Sequence, residues 1–314
     1  MIIRPVIALA PTGAILPDGR ARRLGRGRAH LARVSIERDT SPSDAGQDTG
    51  RPDITELLAI AVDAAAAAAR LVRDQRPEHL AVTATKSSAT DVVTEMDQAS
   101  EALLVARIRS ARPADGFLGE EGAHEPGRSG VVWVIDPIDG TVNYLYGIPT
   151  YAVSVGVQVD GRPVAGVVHN PVSGEVWTAS RGNGAFLNGR EVRVNEPPEL
   201  AMALVATGFG YAPEARARQA EVVRALLPRI RDIRRAGSAS LDLCAVATGR
   251  ADAYFEQGAK PWDLAAGALI AQEAGAVVGG LAGRSAGEDL VIAAPAGLFA
   301  ELEAMLAELG ADRT

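Results

Sequence analysis

The stretch Val131-Val132-Trp133-Val134-Ile135-Asp136-Pro137-Ile138-Asp139-Gly140-Thr141 joins an apolar run to two carboxylates with no basic residue among them. Val131–Ile135 reads as a buried strand that stops at Asp136 and delivers Asp136 and Asp139 to its open end. Two such carboxylates repel strongly unless something positive lies between them. Hard oxygen donors of this kind suit Mg²⁺, which keeps several waters and binds through a few carboxylates plus substrate phosphate. Gly140-Thr141 follows where a helix can begin, and free backbone amides there make a natural phosphate cradle.

Around this stretch the pattern is layered α/β. Asp53 can cap a helix that carries Ile54, Leu57, Leu58, Ala61, Val62 and Ala65 on one stripe and runs to about Gln75. A loop over Thr83–Thr90 precedes a second helix from about Thr94 to Ser110. Ala152–Val159 and Pro163–His169 read as a hairpin turning on Asp160-Gly161, extended by short strands near Val176–Ala179 and Ala185–Leu187. From about Ala201 strands and helices alternate, with helices expected over Glu214–Leu227, Ala239–Ala247, Trp262–Ala274 and Gly297–Leu309. The body therefore divides into an α+β half, about 51–200, and an α/β half, about 201–314.

The 314 residues are 47% hydrophobic and only 4% aromatic, enough for a large core in one or two units. The net charge of -7 is unevenly spread. Residues 1–50 hold eight Arg against five Asp/Glu, and the rest holds 24 basic and 34 acidic residues. An acidic body argues against nonspecific nucleic-acid binding. Apolar runs fall well short of the roughly 20 residues of a membrane span. Residues 1–50 show no sustained apolar period and read as a disordered tail or a rarely used upstream start. A basic arm for RNA or an acidic partner is the alternative. Val6–Ala10 is too short for the core of a secretory signal. The lone Cys244 lies in an apolar helical run and reads as a buried structural thiol, compatible with a reducing cytoplasm.

Two further acidic clusters stand apart from Asp136/Asp139. In Gly119-Glu120-Glu121-Gly122 the adjacent glutamates point to opposite sides of a strand end, so only one can readily join a metal site. In Lys260-Pro261-Trp262-Asp263 the proline and aspartate place a carboxylate at a helix N-terminus. Alone, the first is ordinary solvated surface and the second an ordinary cap.

Taken together these clusters carry a resemblance. Lys86-Ser87-Ser88 with Asp91 and Asp97, Gly119-Glu120-Glu121, Asp136-Pro137-Ile138-Asp139-Gly140-Thr141, Gly237-Ser238-Ala239, Glu256, and Pro261-Trp262-Asp263 leading to Ala274-Gly275 follow one another in order. From about Asp53 to the C-terminus the chain thus resembles the inositol monophosphatase family of Mg²⁺-dependent, lithium-sensitive phosphatases. Residues 1–50 have no counterpart in that pattern. The resemblance implies an αβαβα sandwich of the inositol monophosphatase and fructose-1,6-bisphosphatase type. It also implies hydrolysis of a phosphate monoester, a cytoplasmic homodimer, and two or three Mg²⁺ ions. By motif position, Glu120, Asp136 and the Ile138 carbonyl hold one ion, and Asp136, Asp139 and Asp263 a second. A third uses Glu120 and water. Thr141 with Asp97 behind it, assisted by Glu120, orients the attacking water, and the Gly140 and Thr141 amides hold phosphate.

The alcohol side of the substrate is assigned to Asp139, Gly237, Ser238, Ala239 and Glu256. Lys86 supports the phosphate electrostatically or is simply solvated. Inositol-1-phosphate is the leading substrate. Histidinol phosphate, fructose 1,6-bisphosphate and 3′-phosphoadenosine-5′-phosphate are the rivals on the same scaffold. A regulatory binding protein that uses the basic N-terminal arm is the reading from another class.

Overall fold

The computed structural model describes residues 52–77, 84–85 and 92–313; residues 1–51, Lys86 and Asp91 lie outside them. Helix α1 (Ile54–Asp74) starts at Asp53, whose carboxylate accepts from the Thr55 amide at 2.8 Å, and it buries Leu57, Ala61, Ala65 and Ala68 on one stripe. The expected loop after it contains a short strand, β1 (Ala84–Thr85), paired with β2 (Val92–Val93). Helix α2 (Glu95–Ala111) follows and packs beside α1.

An eight-stranded sheet comes next in the chain. Its strands are β3 (Gly116–Gly119), β4 (His124–Glu125), β5 (Val131–Asp139), β6 (Ala152–Val159), β7 (Arg162–His169), β8 (Val176–Ser180), β9 (Ala185–Leu187) and β10 (Arg190–Val192), in the order β10-β9-β8-β7-β6-β5-β3-β4. A six-residue helix, α3 (Thr141–Tyr146), begins directly after β5. The second sheet contains β11 (Leu204–Thr207), β12 (Asp232–Arg234), β13 (Ala253–Glu256), β14 (Val277–Gly279) and β15 (Val291–Ala294), ordered β12-β11-β13-β15-β14. Helices α4 (Pro213–Leu226), α5 (Ala239–Ala247) and α6 (Pro261–Glu273) connect its strands, and α7 (Ala296–Glu308) follows the last of them.

Burial sorts these elements into five layers. Trp133, Ile135, Val155 and Val157 face α1 and α2 on one side of the large sheet. On its other side Ala152, Val168 and Trp177 meet Leu269 and Ile270 of α6. Helices α5 and α6 in turn lie under the second sheet through Leu243, Val246 and Tyr254, and α7 closes the outer face through Leu298, Leu302 and Leu306. The order is α, β, α, β, α, as the resemblance implies. The large sheet is covered on both faces, which is why β5 reads as a continuous apolar run rather than an alternating one.

Close approach of α6 to the large sheet positions the site. A Cβ on Gly156 of β6 would lie 2.6 Å from the Ala265 Cβ, and one on Gly166 of β7 would lie 2.9 Å from the Ala266 Cα. Two glycines facing two alanines let the helix backbone sit almost on the strands. Asp263, two residues before Ala265, is thereby brought to the end of β5.

One expectation about β5 needs correcting. The strand does not stop at Asp136 but runs to Asp139, with Asp136 opposite Ser154, Asp139 opposite Ala152 and a slip of register between them. Pro137 has no N–H for the ladder, so pairing breaks there and resumes at Asp139. In a regular strand, side chains three apart face opposite sides. The bulge adds one residue, turns the strand and aims Asp136 and Asp139 into the same cleft.

Candidate active site

A cleft of about 1060 Å³ opens where β5 ends. Glu120, Asp136, Ile138, Asp139, Gly140, Thr141, Gly237, Ser238, Ala239, Glu256 and Asp263 all line it. Asp97 stands behind Thr141, and Lys86 lies outside the described residues.

Asp136, Asp139 and Asp263 each offer an oxygen within 4.8 Å of the others. Asp136 is 1% exposed, and its Oδ1 accepts from the Ile138 amide at 3.0 Å. Burial first, then the charges of Glu120, Asp139 and Asp263, hold its carboxyl well above the usual range. Asp263 is raised in the same way, by burial and then by Asp139, although the Lys260 amide donates to its Oδ2 at 2.7 Å. Its role as a helix cap and its place in the cluster are therefore compatible.

Asp139 is tied into the start of α5. Its Oδ2 accepts from the Ser238 hydroxyl (2.7 Å), the Ser240 amide (2.7 Å) and the Ser240 hydroxyl (2.5 Å). Among the described residues its Oδ1 accepts only from the Ala239 amide, at 3.2 Å, which leaves that oxygen with acceptor capacity toward the cleft. Burial raises its pKa and the Ser238 and Ser240 hydrogen bonds oppose the shift. Gly237 precedes α5 at φ +93°, and Asn143 from α3 donates to the carbonyls of Thr150 (2.6 Å) and Ala236 (2.8 Å), pinning this turn against the β5 end.

Glu120 leaves the end of β3 with its amide donating to the Ile135 carbonyl at 3.2 Å. Buried Glu101 accepts from the Glu121 and Ala123 amides at 2.9 Å each and shapes that turn. Glu120 faces the cleft and Glu121 is not part of its lining, as alternation along a strand end requires. The Thr141 hydroxyl lies 3.0 Å from Asp97 Oδ1 and 3.1 Å from the Ile138 carbonyl. Asp97 also accepts from the Thr94 amide at 2.9 Å, and burial raises its pKa against that hydrogen bond and the one from the Thr94 hydroxyl.

On the far wall, Glu256 ends β13 and accepts from the Tyr254 hydroxyl at 2.8 Å. Burial pushes its carboxyl up to about 7, opposed by the Tyr254 hydrogen bond and reinforced by Asp139. A Cβ on Gly208 would sit 1.9 Å from Glu256 Oε2, so any side chain there would displace the Glu256 carboxyl. Ser240, Asn143, Asp242, Arg235 and Lys260 were not singled out as site residues from sequence. Asp242 carried the clearest signal, a charge inside the apolar run Leu241–Val246. Arg235 lines the cleft, whereas nearby Arg234 pairs with Asp232 and Arg229 with Glu308.

The donor set fits Mg²⁺: it is all oxygen, largely buried, and mutually repelling without a cation. Asp136, Asp139 and Asp263 form the group able to hold a metal ion among the described residues. No helix among those residues is long and apolar enough to cross a membrane.

Comparison with known proteins agrees with this geometry. Residues 53–312 match the inositol monophosphatase family. The inositol-1-monophosphatase SuhB of Mycobacterium tuberculosis is 47% identical over 277 residues, covering 82% of this chain and 96% of that protein. A Haemophilus influenzae relative named Nus factor SuhB is 42% identical over 224 residues, covering 71% of this chain and 84% of its own length. The solved structure of a Thermotoga maritima IMPase aligns with a TM-score of 0.75 at 30% identity, covering 82% of this chain and 99% of that one. The chain belongs to the inositol monophosphatase family.

Proposed function

We propose that this chain is a Mg²⁺-dependent phosphatase that hydrolyses inositol-1-phosphate to inositol and phosphate. The observation that carries this reading is one cleft in which Asp136, Asp139 and Asp263 converge beside a Thr141 hydroxyl bonded to Asp97. Glu120, Asp136 and the Ile138 carbonyl would hold one Mg²⁺, and Asp136, Asp139 and Asp263 a second; a third would use Glu120 and water. When bound, these ions neutralise the phosphate dianion and lower the pKa of a water.

The protein's own groups do the rest. Asp97 fixes the Thr141 hydroxyl, so that its oxygen can accept a proton from the attacking water while its own proton points to Asp97. The Gly140 and Thr141 amides, at the start of α3, hold phosphate oxygens in line for attack. Asp139, the Gly237–Ala239 turn and Glu256 line the side where the alcohol would sit. The relative named inositol-1-monophosphatase supports inositol as that alcohol.

Phosphate release from inositol-1-phosphate, histidinol phosphate, fructose 1,6-bisphosphate and 3′-phosphoadenosine-5′-phosphate, compared at steady state, tests the reading. Highest kcat/KM on inositol-1-phosphate, dependence on Mg²⁺ and inhibition by Li⁺ are expected. Equal or better turnover of a rival reassigns the substrate.

The relative named Nus factor SuhB supports a second reading, a regulatory protein that binds a partner. The intact carboxylate set favours the enzyme, because a pocket without catalysis has no need to keep mutually repelling buried acids. Partner capture that persists in an Asp136→Asn variant, together with no turnover of any phosphate ester by the unaltered protein, would establish the second reading instead.

A further inference from the structure

Asp242 lines the cleft from α5 and has no part in the metal cluster. It is 4% exposed. The other buried aspartates among the described residues all accept hydrogen bonds: Asp97 from Thr94, Asp115 from Trp133 and Ser129, Asp136 from the Ile138 amide, Asp139 from Ser238 and Ser240. No hydrogen bond from the described residues reaches the Asp242 carboxyl, and Arg235 forms no ion pair with it. Its carboxyl oxygens are not among the enclosed unpartnered atoms, so they open onto the cleft and find their hydrogen-bond partners there rather than within the protein. A bare carboxyl on the wall of a substrate cleft is accounted for if the substrate completes it.

Its neighbours indicate what it would bind. Glu256 lines the same cleft from β13, and each carboxyl lies close enough to Arg235 to feel its charge. The Glu256 Oε2 is engaged by Tyr254, leaving Oε1 free to accept from a ligand. Arg235 supplies positive charge beside both acids, which disfavours an ammonium group between them and favours neutral hydroxyl donors. We infer that Asp242 is a specificity-determining residue that, with Glu256, clamps neighbouring hydroxyls of a polyol phosphate. The inference rests on the proposed phosphatase reading and adds a recognition element for the alcohol. Burial, then Glu256 and Asp139, also raise the Asp242 carboxyl's hold on its proton. In that form it can donate to one hydroxyl oxygen while accepting from another.

The full-length protein with Mg²⁺ is compared on inositol-1-phosphate and on p-nitrophenyl phosphate, which has no further hydroxyl. Asp242→Ala and the similarly sized Asp242→Leu are expected to raise KM for inositol-1-phosphate roughly five- to hundredfold, the worth of two neutral hydrogen bonds lost together. The kcat should stay within about threefold, and p-nitrophenyl phosphate kinetics within about twofold. Asp242→Asn, which still donates and accepts, should recover most of the loss. A parallel fall on both esters, tracking a lower Tm, would mean a structural role and overturn the inference. So would an unchanged KM for inositol-1-phosphate in both Asp242→Ala and Asp242→Leu. If the unaltered protein cleaves p-nitrophenyl phosphate but no polyol phosphate, the substrate reading itself fails, an outcome visible without any variant.

Discussion

The hydroxyl of Thr141 and the carboxylate of Asp97 are 3.0 Å apart and come from elements 44 positions distant in the chain. On the proposed mechanism Thr141→Val should lower kcat by roughly 10²- to 10⁴-fold with little change in KM, because it removes the proposed proton relay and keeps the proposed backbone phosphate contacts. Steady-state phosphate release, with circular dichroism to confirm folding, checks this. Ser240 does not touch the cleft's substrate side; it acts by donating twice to Asp139 Oδ2. Ser240→Ala should weaken Mg²⁺ activation about tenfold, the usual effect of removing a partner that orients a metal ligand. A Mg²⁺ titration of activity is the measurement, and an unchanged activation constant would exclude that role. At this scale Asp136 and Asp139 were readable because one short motif holds both. Glu120 and Asp263 looked ordinary when taken singly and gained meaning only as a set. Ser240 and Asn143 were invisible, since a serine early in a helix and an asparagine in a turn are commonplace and their partners lie about 100 residues away.

Helix α6 and strands β6 and β7 meet through Gly156 and Gly166 against Ala265 and Ala266. Gly166→Val should destabilise the fold by at least about 1–3 kcal/mol, the cost of overpacking, as read from a urea transition. It should also reduce activity in the protein that remains folded, because α6 carries Asp263. Full activity per folded molecule would show that Asp263 is held by something other than this contact. Among the elements, α1, the β6–β7 hairpin and α5 were legible from period, turn residues and cap. The bulge in β5 was not. Pro137 marks a break in pairing, but whether a strand ends or resumes after a proline depends on the partner strand available to it. Here β6 supplies Ala152 opposite Asp139.

The molecule as a whole concentrates acids in its interior, and this sets its response to pH. The Glu256 carboxyl, ordinarily near 4.5, is held up to about 7. A raised carboxyl binds its proton more tightly in the folded than in the unfolded chain. Its contribution to stability is therefore complete below about pH 4.5 and is lost as pH rises through about 7. Asp136, Asp139, Asp242 and Asp263 are shifted in the same direction. The Tm of EDTA-treated protein should accordingly fall between about pH 4.5 and about pH 7.5. Added Mg²⁺ should raise it more at about pH 8 than at about pH 5.5, since the cation competes with protons for the same oxygens. A Tm that climbs through this window without Mg²⁺ would contradict a buried acidic cluster. Removal of residues 1–50 should leave kcat and KM unchanged, because the family match starts at residue 53. The oxygen-donor acids and the layered fold type were legible from the amino-acid order, because each depends on side-chain identity and short-range spacing. That Glu120, Asp136, Asp139 and Asp263 share one cleft was implied only by the family resemblance, and the solitary burial of Asp242 was not legible at all. Those depend on how closely α6 and α5 approach the sheets, and such distances are set by glycine-to-alanine packing between segments about 100 residues apart, beyond the reach of any local pattern.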